Sequence, residues 1–178
     1  GKFFENDDFY LEAEKMIHVQ PCNAYNFVVK GKNRIDKKKL KKYKIKPGKH
    51  LQKLKLGKDI SYEDKKYRVR DLTFLEKGRK VSFVLDTRDN KKIVPFVKNA
   101  DVLVCESTFD NSFKDLAREY QHLTSSQAAM IAKRAKVKRL FLVHLSQRYS
   151  LNYKTLLSEA KKIFKNSSVP SDLEGFEI

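Results

Sequence analysis

Short apolar runs separated by polar turns recur along this chain, and most of them are too short to be helices. Runs of four to eight apolar residues bounded by turn residues are typical of buried strands. The longest stretch of this kind, Phe9 to Ile17, ends at a histidine. Strands are therefore predicted at residues 9–17, 24–29, near 66–70, 81–85, 102–104 and 140–143.

Helical segments alternate with these strands in the second half. Thr124 and Gln127 have the spacing of a capping box, which predicts a helix that begins there and runs to about Ala135. Asn152 is expected to cap a last helix with one apolar face. Shorter helices are predicted at residues 36–43, after Asp89-Asn90 and at 112–120. Strand and helix in alternation indicate an α/β fold.

Composition restricts the class of protein. The chain has 178 residues, 40% of them hydrophobic, so it can form one domain with a core. No apolar run approaches the roughly 18 residues of a membrane span. Two cysteines form neither a metal-binding spacing nor a disulfide framework, so we expect a soluble cytoplasmic protein. Because the first residue is Gly1, we expect a fragment, a processed product or a restarted numbering.

Positive charge is concentrated in one segment. The formal net charge is +17, and residues 30–58 hold fourteen Lys and Arg against the single acid Asp36. The few leucines of this segment are not expected to form an independent core, so residues 31–58 are predicted to be a protruding basic arm or a small subdomain. Lysine suits phosphate contacts without base specificity, which favours nucleic acid over a membrane surface. A solvated surface loop is the alternative.

Polar residues with metal-binding chemistry follow the apolar strands. Asp86, Glu106 and His144 each come at a strand end, while His18 and His122 lie at other element ends. Ligands of α/β proteins bind at the carboxyl ends of strands, and histidine with carboxylate is the ligand set of zinc. Each residue taken alone is more often structural, with Asp86 in a turn. No Gly-x-Ser-x-Gly motif is present, and Cys105 is expected to be a buried thiol.

Four runs of residues together resemble the ribonuclease Z family, in matching order from about Phe9 to the C-terminus. They are Asp86-Thr87-Arg88, the run from Ala100 through Cys105-Glu106-Ser107-Thr108 to Phe109, His122-Leu123-Thr124, and His144-Leu145-Ser146-Gln147-Arg148-Tyr149. The resemblance implies a metallo-β-lactamase fold, which is an αββα sandwich with two zinc ions. It also implies precursor tRNA as substrate and a homodimer.

The resemblance implies a role for each candidate. His18 would complete the ligands of one zinc, Asp86 would bridge both ions, and His144 would bind the second. Glu106 would pair with His122, which would help to protonate the leaving oxygen. The family pattern His-Glu-Ala-Thr is here Cys-Glu-Ser-Thr, and His-Ser-Thr is here His-Leu-Thr. In the arm, the family's Gly-Pro is replaced by Gly48-Lys49.

The family's His-x-His-x-Asp-His motif is absent from this sequence. We therefore expect residues 1–178 to be the C-terminal half of the metallo-β-lactamase domain, with residues 31–58 inserted as the arm for tRNA. The full-length protein would remove the 3′ trailer of precursor tRNA, and this chain alone would be inactive. Arg148 and lysines of the arm are expected to contact RNA, the lysines being Lys37, Lys38, Lys39, Lys41, Lys42, Lys49 and Lys53. The alternative is a non-catalytic RNA-binding or regulatory module with vestigial metal residues.

Overall fold

The computed structural model describes residues 1–178, which form two compact units. One unit comprises residues 1–29 and 79–178, and the other is Lys30–Gly78. The strands are β1 (Lys2–Glu5), β2 (Phe9–Lys15), β3 (Asn23–Val29), β4 (Lys32–Ile35), β5 (Ile60–Tyr62), β6 (Lys65–Tyr67), β7 (Thr73–Glu76), β8 (Arg79–Val84), β9 (Val102–Glu106), β10 (Arg139–Val143) and β11 (Ser167–Ser168). The α-helices are α1 (Lys37–Lys42), α2 (Gln52–Lys55), α3 (Val69–Leu72), α4 (Ile93–Phe96), α5 (Lys114–Glu119), α6 (Ser125–Ala135) and α7 (Lys154–Ile163). None of these helices has the length and apolar content needed to cross a membrane.

A seven-stranded mixed sheet forms the centre of the larger unit, in the order β1-β2-β3-β8-β9-β10-β11. The strands from β1 to β8 pair antiparallel, and those from β8 to β11 pair parallel. In the parallel part Val84 pairs with Cys105 and Cys105 with Leu142. The carboxyl ends of β8, β9 and β10 therefore share one edge of the sheet.

Helices cover one face of this sheet. Leu103 and Leu140 point into a core that they share with the small residues Ala128, Ala129 and Ala132 of α6. Small side chains allow the helix to approach the sheet closely, as its sequence predicted. Buried residues make this face well packed and fix the strand ends in place.

The opposite face of the sheet carries aromatic side chains in contact with solvent. Tyr25 and Phe83 are cross-strand partners, 46% and 40% exposed, and Phe27 is 37% exposed. On β10, Phe141 is covered by Phe176 of the C-terminal segment, with ring centroids 4.3 Å apart. Tyr25 and Phe27 contact only rings of neighbouring strands, Phe3 at 6.2 Å and Phe9 at 5.1 Å between centroids, and they stay partly exposed.

The smaller unit has a hydrophobic core of its own. Leu40, Ile45, Leu54, Ile60 and Leu72 are all buried together. The leucines of the basic segment form this core only together with other residues, since Ile60 and Leu72 come from beyond the segment. The compact unit extends to Gly78 and includes two small antiparallel sheets, β4-β7 and β5-β6.

Most predicted elements are present, with several differences. Strands β1, β4, β5, β7 and β11 and helix α2 were not predicted, and the strand expected near 66–70 is divided between β6 and α3. The expected Asn152 cap is wrong, since α7 begins after Tyr153 without a side-chain cap. Helix α4 begins after Lys92 rather than at a side-chain cap, although Asn90 Oδ1 accepts a hydrogen bond from the Lys92 N–H at 3.1 Å. The capping box of Thr124 and Gln127 is confirmed in both of its hydrogen bonds.

Candidate metal centre

Three polar residues follow the parallel strands β8, β9 and β10 at one edge of the sheet. Glu106 is the last residue of β9, while Asp86 and His144 lie just beyond the ends of β8 and β10. Because the strands are parallel and adjacent, their carboxyl ends bring these side chains together, as the sequence predicted.

Two of these residues have left-handed backbones. The φ angle is +49° at Asp86 and +56° at His144, and Gln121, just before His122, has +60°. Residues other than glycine seldom adopt this region, and each such residue costs about 1–3 kcal/mol when it is strained. Such conformations persist where the surrounding structure imposes them, and they are frequent at binding and catalytic sites.

Asp86, His122 and His144 form the tightest group of candidate ligands. One donor atom from each lies within 4.8 Å of the other two. Nε2 of His144 is 3.0 Å from Oδ1 of Asp86, yet that buried oxygen has no partner in hydrogen-bond geometry. A nitrogen and a carboxylate oxygen at this distance attract each other only with a cation or proton between them. The donor set therefore fits a divalent metal such as zinc.

Glu106 is the anchor of the group and is fully buried. Its carboxylate accepts hydrogen bonds from the Thr87 N–H, from the Leu123 N–H at 2.9 Å and from the Thr108 hydroxyl at 2.9 Å. Oε2 also lies 3.1 Å from Nδ1 of His122. Several donors on one carboxylate compensate for the free energy of burying its charge.

The hydrogen bonds of Glu106 fix the tautomers of both histidines. Because an ionised carboxylate only accepts, His122 donates from Nδ1 and leaves Nε2 free. Thr108 gives its single proton to Glu106, so its oxygen accepts from Nδ1 of His144 at 3.1 Å. The free Nε2 of His144 then points to Asp86. A second layer of partners that sets the free nitrogen in this way is typical of metal sites.

His18 lies beside the group rather than inside it. Its ring centroid is 4.9 Å from that of His122, and Nδ1 is 3.3 Å from the Gln121 carbonyl oxygen. The loop that carries it is attached to the Asp86 loop, because Ile17 exchanges two hydrogen bonds with the Thr87 hydroxyl.

The candidate RNA-contacting residues lie in both units. Arg148 is exposed, with its guanidinium 4.2 Å from the centroid of Phe113 and 5.2 Å from that of Phe109. The lysines lie in the smaller unit and all are exposed except the half-buried Lys39; they are Lys37, Lys38, Lys39, Lys41, Lys42, Lys49 and Lys53.

Thr108 is the site residue that the sequence did not single out. It stands two positions after Glu106 at the end of the same strand run, and this spacing is the one signal that could have indicated it. Cys105, by contrast, is buried as expected, and burial followed by the charge of Glu106 raises the pKa of its thiol well above the usual value. Cys105 is therefore unsuited to nucleophilic chemistry.

The curated proteins that are similar to this chain in sequence include ribonucleases Z from several bacteria. Ribonuclease Z of Bacillus cereus (strain G9842) is 36% identical over 185 aligned positions that include all of this chain and 59% of the relative. Ribonuclease Z of Listeria welshimeri is 37% identical, again over all of this chain and 60% of the relative. The chain thus spans about three fifths of the curated relatives that it matches. No family model matches the chain.

Solved structures identify the fold. The metallo-β-lactamase fold protein YhfI from Bacillus subtilis has a TM-score of 0.58 at 20% identity, covering 92% of this chain and 47% of its own. Human tRNase Z, short form, has a TM-score of 0.50 at 24% identity, covering 84% and 41%. Both matches leave more than half of the solved chain without a counterpart here.

Proposed function

This chain is a homologue of ribonuclease Z with part of the metallo-β-lactamase fold, and from that premise we propose that its parent protein is a zinc-dependent endoribonuclease. It removes the 3′ trailer from precursor tRNA by hydrolysis of a phosphodiester bond. The observation that supports this proposal most strongly is the group of Asp86, His122 and His144, with Glu106 and Thr108 behind it.

His18, Asp86 and His144 hold the metal in this proposal. The buried, unbonded Oδ1 of Asp86 and the free Nε2 of His144 fit a zinc ligand set. Zinc, when bound, lowers the pKa of water to about 7 and offsets negative charge on a phosphate. Two ions need more ligands than these three residues, so the site is completed by residues outside this chain.

His122 donates a proton to the leaving oxygen. Its Nδ1 is held by Glu106, so the ring is oriented and its Nε2 is free to carry the proton. After the proton is given up, the Glu106 carboxylate keeps the neutral ring in the same tautomer. Glu106 is a positioning residue in this scheme, since it acts through His122.

The exposed aromatic face of the sheet is covered in the parent protein by the N-terminal part of the same fold. Tyr25, Phe27 and Phe83 present apolar area of the kind that soluble proteins bury against another layer. That part carries the His-x-His-x-Asp-His ligands, which this chain lacks. The complete protein acts in the cytoplasm as a homodimer.

The unit Lys30–Gly78 contacts the tRNA backbone. Its charge resides in exposed lysines that surround a small core, and lysine contacts phosphates without reading bases. We place the RNA contacts at Lys37, Lys38, Lys39, Lys41, Lys42, Lys49 and Lys53, with Arg148 near the metal site.

The decisive experiment compares two variants of the full-length protein. Asp86→Ala is expected to abolish cleavage of a precursor tRNA and to lower the zinc content. His122→Ala is expected to lower cleavage by about 100-fold with the zinc content kept, because general acid catalysis contributes about that much. Normal turnover by Asp86→Ala would refute the proposed metal-dependent nuclease activity. Loss of zinc in His122→Ala would show that His122 is a metal ligand and not only a proton donor.

A non-catalytic RNA-binding module is the second candidate, favoured by the incomplete ligand set and the lysine-rich unit. Elemental analysis of the full-length protein separates the two candidates. About two zinc ions per chain supports the enzyme, whereas tRNA binding without zinc supports the module.

A further inference from the structure

A cavity of about 500 Å³ opens beside His122, and aromatic side chains are part of its lining. Phe109 and Tyr120 line it together with Arg148, and His122 and Thr108 of the metal centre are also part of its lining. Its volume lies within the range of about 300–1,000 Å³ that small-molecule sites occupy.

Arg148 is held in a fixed plane at the mouth of this cavity. Its guanidinium lies over the ring of Phe113 at 4.2 Å, and its Nε donates to Ser146 Oγ at 3.2 Å. The Ser146 N–H in turn donates to the Thr108 carbonyl at 3.1 Å, which ties this loop to the metal centre. A planar guanidinium can bind a phosphate through its edge and can also stack on a flat ring through its face, as it does here on Phe113.

Two exposed aromatic rings lie near Arg148. Tyr120 lines the cavity and is 53% exposed, and Phe113, which lies under the Arg148 guanidinium, is 40% exposed. Exposed rings and a flat guanidinium beside a groove are the surfaces on which unpaired nucleobases stack.

We propose that Phe113, Tyr120 and Arg148 form a stacking site for one unpaired nucleobase next to the phosphate that is cut. The site selects single-stranded RNA at the cleavage position without reading its sequence, since every base has a face that stacks. This inference rests on the proposed function and adds to it the residues that would place an unpaired nucleotide at the cleavage site. The base lies either 5′ or 3′ of the attacked phosphate.

Binding of modified precursor tRNAs to the full-length protein tests the site. An Asp86→Ala background prevents cleavage, and the RNA carries a single abasic nucleotide either 5′ or 3′ of the cut. One of the two abasic RNAs is expected to bind about 10-fold more weakly than the intact RNA. In Phe113→Leu that penalty is expected to fall below about 3-fold, because the ring is lost but the apolar volume is kept.

Matched variants separate stacking from charge. Phe113→Tyr keeps the ring and is expected to restore the full abasic penalty. Arg148→Lys keeps the charge but loses the plane, so the penalty is expected to fall as in Phe113→Leu. If Arg148 contacts only phosphate, Arg148→Lys leaves the penalty unchanged.

A second readout reports on stacking directly. 2-Aminopurine at the same nucleotide is expected to lose fluorescence on binding to the parent and to Phe113→Tyr, but not to Phe113→Leu. Equal abasic penalties and equal quenching in all variants would overturn the stacking site while leaving the nuclease intact. A protein that neither binds nor cleaves any precursor tRNA would overturn both.

Discussion

Asp86 and His144 share a backbone conformation that residues with side chains seldom adopt, and both occupy it at the metal centre. Asp86 and His144 follow neighbouring parts of the sheet, since β8 and β10 each pair with β9 in parallel. In this conformation Nε2 of His144 and Oδ1 of Asp86 lie 3.0 Å apart, and the left-handed backbone costs free energy. At this scale stability is given up for ligand geometry.

Asp86→Asn is expected to stabilise the metal-free protein by about 1 kcal/mol, because an amide NH2 in place of the unbonded Oδ1 can donate to the free Nε2 of His144. Asparagine also tolerates the left-handed backbone. Urea unfolding in the presence of a chelator measures the difference, with Asp172→Asn in the exposed C-terminal segment as the control. A loss of stability would show that the carboxylate is satisfied in the metal-free state.

Thr108→Val is expected to weaken zinc binding by about 10-fold, because the hydroxyl that fixes the tautomer of His144 is removed. Thr108→Ser keeps the hydroxyl and should bind zinc normally. Competition with a chelating dye in the full-length protein measures the affinity. Equal zinc affinities for the Val and Ser variants would show that the Thr108 hydroxyl has no role in metal binding.

At the scale of elements, helix α6 and strands β8 to β10 determine where the site is. The capping box of α6 places Leu123 and His122 just outside the helix, where the Leu123 N–H reaches Glu106. The strands give the common edge, and the loops after them supply the ligands. A change in any of these elements is therefore expected to displace several donor atoms at once.

Thr124→Ala is expected to lower the free energy of unfolding by about 1 kcal/mol, since the N-cap hydrogen bond to Gln127 is lost. Thr155→Ala, at an exposed position of α7, is the matched control and should change stability by less than about 0.5 kcal/mol. Chemical denaturation of both variants tests the cap. Equal effects would indicate that the cap is redundant with packing.

Asp101, just before β9, links this strand to β8 and to the start of β10. It accepts from the Lys80 N–H at 2.7 Å and from Lys138 Nζ at 2.5 Å. Burial raises the pKa of Asp101, but the Lys138 hydrogen bond and the Lys80 N–H outweigh it, so the pKa lies below the usual 3.8. The unfolded chain therefore binds this proton more readily than the folded one.

The stability that Asp101 contributes is present above its unfolded pKa and is lost as the pH falls through the lower folded value. Asp101→Asn is expected to reduce the loss of stability between about pH 7 and about pH 3 by up to about 1 kcal/mol, a small value because Lys138 is exposed. Urea unfolding at several pH values measures it. An unchanged pH profile would mean that the folded pKa is not depressed.

The sequence predicted the strand ends well and the distances between them poorly. Apolar runs locate Asp86, Glu106 and His144 because strand periodicity is local information. The association of His122 with Asp86 and His144, and the position of His18 outside that group, depend on loop paths that no local pattern contains. Thr108 was overlooked for the same reason, since its partner His144 is 36 residues away.

At the scale of the whole molecule, charge and fold have different boundaries. The lysine-rich segment ends at Lys58, whereas the compact unit continues to Gly78 through residues with equal numbers of acids and bases. The neutral part supplies Ile60 and Leu72 to the core. Removing residues 31–58 alone would therefore unfold the unit as well as discharge it.

A set of substitutions tests the contribution of charge to tRNA binding without unfolding the unit. Lys37, Lys38, Lys41 and Lys42, all changed to Gln, keep Leu40 and the fold but remove four charges. In the full-length protein tRNA binding is expected to weaken, and the slope of log K against log salt to fall by up to about 3–4. Four exposed lysines of the larger unit, Lys154, Lys161, Lys162 and Lys165, changed in the same way are the control. Equal losses would show general electrostatics rather than a specific contact.

The single carboxylate of Glu106 has a consequence for genetics. Glu106 orients His122 directly and His144 through Thr108. Substitutions at Glu106 and Thr108 therefore disturb the same hydrogen-bond network. Once Glu106 is replaced, a further change at Thr108 should add little, so double mutants will be less severe than the product of their single effects. Suppressors of a Glu106 defect should be rare, since one compensating change would have to restore two separate attachments.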